Sequence, residues 1–64
     1  MIDAAQQTAL ALIGQYGDDA EVIATLRAAE FAAAGDVEAL AHWDAIIARI
    51  VAIEAGAPGA RSVQ

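Results

Sequence analysis

The 64-residue chain has no cysteine and no lysine, one proline, and a single tryptophan, tyrosine, phenylalanine, histidine and methionine. Each shortage excludes something. Without cysteine there is no disulfide framework and no thiolate metal site to stabilise a small fold, and no pointer to an oxidising compartment. Without cysteine or lysine, and with His42, Tyr16, Thr8, Thr25 and Ser62 as the remaining reactive inventory, no nucleophile, base and orienting group assemble into a triad. The chain is therefore expected not to be an enzyme, and to carry no cofactor. No glycine-rich segment follows a strand pattern, which removes a phosphate loop.

Positive charge is also scarce. Three arginines stand against nine acidic residues, a net charge of −6. Such a chain repels phosphate backbones and anionic lipid surfaces over a Debye length of ~10 Å, so neither nucleic acid nor membrane is an expected partner. A helix-turn-helix reader needs basic recognition residues, and the third helical segment offers only Arg49. A long uncharged run is missing too. The most apolar window, Ala39 to Ala55, contains His42, Asp44, Arg49 and Glu54, unlike a membrane span. The N-terminal Met1-Ile2-Asp3 lacks the basic and apolar regions of a secretory signal, so a cytoplasmic location is expected. Arginine without lysine, beside abundant Ala, Gly, Asp and Val, resembles the usage of a GC-rich bacterial genome, with a design of unusual composition as the alternative origin.

What the chain has in plenty is alanine, 19 of the 38 residues in its hydrophobic class. Alanine favours helix and buries little apolar area, so the core is thin for a chain already short for independent folding. Two joints divide the sequence. At Ala34-Gly35-Asp36-Val37, Gly35 suits a left-handed helix stop and Asp36 a cap for the next helix. Gly17-Asp18 has the same grammar, with Glu21 completing an Asp18-x-x-Glu21 capping box, and Asp3-x-x-Gln6 opens the first segment likewise. Two stops make three helices, at about 3–16, 19–34 and 37–55. Gly56 and Pro58 end the last, and the tail 57–64 is expected to be disordered.

Three such segments and no strand pattern make the fold class all-α. The available architectures are a small three-helix bundle, or a helical hairpin with an N-terminal helix, completed by dimerisation. In helix 1 the inward face reads Ala5, Ala9, Leu12, Ile13 and Tyr16. In helix 2 it reads Val22, Leu26, Ala29 and Ala33 with Ile23 beside them, which leaves Phe31 on the other side near Ala20, Ala24 and Arg27. Helix 3 holds Trp43 and four of the seven isoleucines. Its Leu40, Trp43, Ile46, Ile47, Ile50, Val51 and Ile53 spread over an arc of about 160°, with Glu38, His42, Ala45 and Arg49 opposite.

Two candidate chemistries reduce to simpler readings. Glu38 and His42, four residues apart, supply two ligands where a closed metal site needs more, and read as a solvated pair. Asp18 and Asp19 read as capping and dipole charges. Trp43, Phe31 and Tyr16 read as core residues rather than as a ligand pocket.

Tyr16-Gly17-Asp18-Asp19-Ala20, Ala34-Gly35-Asp36, and Trp43 followed by Ile46 or Ile47 resemble a group of short bacterial helical proteins. That group has a Gly-Asp joint, an Ala-Gly-Asp joint and a Trp-x-x-Ile third helix. The resemblance covers about Ala9 to Glu54 and brings no function with it. Where the group would place His-Gly at the first joint, this chain has Tyr16-Gly17.

The function expected from these features is that of an acidic protein-protein interaction module that self-associates. The arc of helix 3 exceeds what two short neighbours cover, so a homodimer is expected, with Ile46, Ile50 and Ile53 facing the partner together with Phe31, and Arg49 at the rim. Leu40, Trp43 and Ile47 would serve the subunit's own core. The rival expectation is an acidic inhibitor or decoy, anti-defence or regulatory, that binds a basic protein surface through Asp18, Asp19, Glu21, Asp36, Glu38 and Asp44.

Overall fold

In the computed structural model, which describes residues 3–56, the Asp3 carboxylate accepts from the Gln6 amide at 2.8 Å and opens helix α1, Ala4–Tyr16. This satisfies one of the four amide donors that a helix start leaves unpaired. The reciprocal half of a capping box, from the Gln6 side chain to the Asp3 amide, is not formed among the described residues. The tail 57–64 lies outside the described residues.

The first joint differs from the expected stop and restart. Gly17 has φ 59° and ψ −125°, a positive-φ conformation that glycine adopts without a Cβ penalty. The chain nevertheless continues helically, through one 3₁₀ turn at Gly17–Asp19, into α2, Ala20–Ala34. The Ala20 amide donates to the Gly17 carbonyl, and neither Asp18 nor Asp19 makes a side-chain cap. The expected Asp18-x-x-Glu21 box is thus corrected. A 3₁₀ turn bonds the amides that a cap would otherwise serve, so the carboxylates stay in solvent.

The second joint forms as its residues suggest. Gly35 sits at φ 76°, ψ 17°, in the left-handed region. Its amide donates to the Ala32 carbonyl at 3.1 Å, and the Asp36 amide donates to the Phe31 carbonyl at 3.0 Å, the paired bonds of a Schellman stop. Asp36 then accepts from the Ala39 amide at 3.1 Å and caps α3, Val37–Gly56. The fold is all-α, with no strand among the described residues. Its plan is a hairpin: a bent helical arm over Ala4–Ala34, and α3 packed back along both halves of it.

The core lies where the three segments meet. Ala9, Ala20, Ala24, Ile46 and Ile50 are fully buried, and Ala5, Leu12, Ile13, Trp43, Ile47 and Ile53 pack around them. The inner face of α2 is therefore Ala20, Ala24 and Ala28, at i, i+4 and i+8. Small side chains there let the α3 backbone approach closely, and the two isoleucines fill the space that alanine leaves. This corrects the expected inward stripe of α2: Val22 and Leu26 are 57% and 56% exposed, and Ala29 and Ala33 are exposed with them. Phe31 is half-buried on the same side as the inner alanines, so it does not point away from the core.

The arc of α3 is also met within the chain. Ile46 and Ile50 have no accessible surface, while Leu40, Trp43, Ile47 and Ile53 are half-buried and only Val51 of the seven is exposed. Full burial of an isoleucine contributes roughly 1.5–3 kcal/mol. The expectation underestimated the inner alanines as covering surface, because a close-packed alanine ridge shields a neighbour as completely as a larger side chain does.

Candidate interaction surface

Of the five residues expected at an interface, four make contacts within the chain's own fold. Ile46 and Ile50 are sealed in the core, which corrects their placement against a partner, and half-buried Ile53 packs on that core. Arg49 is half exposed and paired within the chain: its Nη2 donates to Asp3 Oδ2 at 2.8 Å. Asp3 thereby serves two partners, with Oδ1 capping α1 and Oδ2 joining α1 to α3. Both side chains of the pair are about half exposed, so it contributes little, on the order of 0–1 kcal/mol. Phe31, the fifth, lies half-buried toward the inner side of α2.

Large aliphatic side chains remain exposed at Leu10, Val37 and Val51, and as a pair, Val22 and Leu26, on the outward face of α2. Val22 and Leu26 each lie about 160° around the helix from Ala24, because successive residues turn by ~100°. With Ala24 fixed inward, both project into solvent. An open groove of about 420 Å³ lies along one side of them, lined by Asp18, Glu21, Val22, Thr25 and Leu26. A smaller one of about 180 Å³ lies on the other side, lined by Tyr16, Ile23, Leu26, Arg27 and Glu30. Leu26 is common to both, so it stands as a ridge between two shallow depressions. Arg27 and Glu30 pair across one helical turn at 3.4 Å on that second side.

The pattern that could have revealed this face was visible in the sequence, since Val22, Leu26, Ala29 and Ala33 form one stripe. What the sequence did not reveal was which of two opposite apolar faces of α2 turns inward. The other singled-out groups lie elsewhere. Glu38 and His42 are exposed on α3, and the described residues include no group of three or more His, Cys, Asp or Glu placed to hold a metal. His42 stands edge-on to Trp43, with ring centroids 6.4 Å apart. Tyr16 is exposed at the groove rather than in the core. Among the described residues no helix is long and apolar enough to cross a membrane.

Comparison with known proteins adds no neighbour: no family model, no curated protein and no solved structure matches the chain.

Proposed function

We propose that this protein is a small acidic interaction module that works by self-association, and that the outward face of α2 is its contact surface. The observation that carries the reading is the exposure of Val22 and Leu26 on one helix face. Two large aliphatic side chains on adjacent turns, flanked by grooves, form an apolar ridge of the kind that marks contact sites. The interface residues are thus different from those expected on α3, and the driving force differs as well. The subunit's core is already closed, so association is an activity of a folded monomer rather than the completion of its fold. A cytoplasmic, bacterial setting belongs to the same reading, supported by the arginine-only basic usage.

Sedimentation equilibrium from about 10 μM to about 1 mM, the range of weak pairing, tests this. The native chain is expected to show a dimer that Leu26→Glu abolishes without loss of helicity. A monomer throughout that range would overturn the reading.

A second reading has its own support. Asp18 and Glu21 line the groove beside Val22 and Leu26, so the face also suits a basic protein surface, as an inhibitor or decoy would use it. Opposite charge at a rim raises association rate and salt sensitivity more than affinity. Retention of a basic host protein at low salt by the immobilised native chain, but not by Asp18→Asn with Glu21→Gln, would favour this second reading.

A further inference from the structure

The outward stripe of α2 has a symmetry that its exposure alone does not reveal. Its positions, 22, 26, 29 and 33, are spaced four, three and four, the alternation of a coiled-coil seam. That spacing reads the same in both directions, whereas the side-chain sizes do not: Val22 and Leu26 are large, Ala29 and Ala33 small. We propose that two copies of this chain pair through α2 in antiparallel orientation about a two-fold axis between residues 27 and 28. Val22 of each copy then meets Ala33 of the other, and Leu26 meets Ala29. This rests on the self-association reading and names the geometry of its interface.

Shape and charge both favour this arrangement over its parallel counterpart. Antiparallel pairing seats every large side chain on a small one, so the axes stay evenly spaced along the seam. Parallel pairing would set Val22 on Val22 and Leu26 on Leu26 at one end, and alanine on alanine at the other, splaying the helices or leaving a void. The acids point the same way. In the antiparallel register the two copies of Glu21 stand about 20 Å apart along the axis and the two copies of Asp18 about 28 Å apart, at 1.5 Å rise per residue. Both separations exceed the Debye length of about 8 Å at physiological salt. A parallel pair would hold each acid level with its own copy, on the opposite flank of the seam and so nearer to it than in the antiparallel register.

On the other flank the two-fold axis brings like edges together. Glu30 of the second copy comes within about 3 Å, along the axis, of the level of Arg27. Arg27, already paired with its own Glu30, then lies between two carboxylates. The extent of the contact sets its class. Helix α2 has 15 residues, a seam about 22 Å long, which buries less than the roughly 1,200 Å² at the low end of stable complexes and so belongs to the weak, reversible kind.

The absence of native cysteine makes single cysteine substitutions in the full chain clean probes under mild oxidation. Ala29→Cys lies about 4.5 Å along the axis from its own copy, and is expected to cross-link alone. Val22→Cys and Ala33→Cys, each about 16 Å from its own copy, are expected not to cross-link alone but to cross-link when mixed. Thiols held together in a complex should react at least about ten-fold faster than Ala45→Cys on the exposed face of α3. Rapid cross-linking of Val22→Cys alone would show a parallel pair and overturn the proposal. A sedimenting dimer with none of these links above the Ala45→Cys rate would overturn the seam while leaving self-association standing, and no dimer at all would remove both.

Discussion

Gly35 and Asp36 show how single residues set a joint. Nothing lies within 4 Å of a Cβ built on Gly35, so space does not demand glycine there; its φ of 76° does. Gly35→Val is expected to lower stability by about 1 kcal/mol or more, read as a shift in urea midpoint, because a β-branched residue is poorly tolerated in the left-handed region. Asp3 allows its two roles to be separated. Asn caps a helix about as well as Asp but cannot form the ion pair with Arg49, so Asp3→Asn should cost at most about 1 kcal/mol. Asp3→Ala should cost about 1 kcal/mol more, through loss of the cap. Equal midpoints for the two variants would show that the cap is unimportant. These residues were legible because their effects are local: a glycine stop and a carboxylate cap act through bonds within five positions. Asp18 was misread for the same reason in reverse. Its sequence context matches a cap, but whether the backbone leaves amides free at that point depends on the bend the whole hairpin imposes.

At the level of the helix, α2 is where reading from sequence reached its limit. The helix has two opposite apolar faces, Val22 and Leu26 on one side and Ala20, Ala24, Ala28 and Phe31 on the other, with Glu21, Thr25, Arg27 and Glu30 between them. Ranking residues by buried area selects the larger pair as the inner face. The fold selects the smaller set, since Ile46 and Ile50 on α3 already supply the volume and need a flat, close neighbour. In α1 the spacing indicates the inner face directly, with Ala9, Leu12 and Ile13 inward, whereas α3 was divided wrongly: Ile46 and Ile50, expected against a partner, are its two fully buried residues. Two substitutions test the orientation of α2. Ala24→Leu adds bulk to a fully buried site and should destabilise by about 1–3 kcal/mol through overpacking. Leu26→Gln removes an exposed aliphatic and should change stability by no more than about 0.5 kcal/mol. If the two effects were reversed in size, the stripe of Val22 and Leu26 would be the inner one after all. Ile50→Ala, in the same core, should cost about 2–5 kcal/mol.

For the molecule as a whole, the charge of −6 opposes any contact between two copies and assists contact with a basic partner. The two readings of the α2 face therefore respond to salt in opposite directions. Two like-charged chains that meet through an apolar seam repel at long range and attract only on contact. Screening shortens the Debye length from about 30 Å at 0.01 M to about 8 Å at 0.15 M, which removes repulsion and leaves the apolar term nearly unchanged. Dimerisation is thus expected to strengthen over that range. A complex held by Asp18 and Glu21 against lysines or arginines loses attraction under the same screening and is expected to weaken, chiefly through a slower association rate. Sedimentation of the chain alone, repeated across the salt series, measures the first effect; the retention of a basic partner on the immobilised chain measures the second. A dimer that dissociates as salt rises would mean that charge rather than the Val22–Leu26 ridge holds it together.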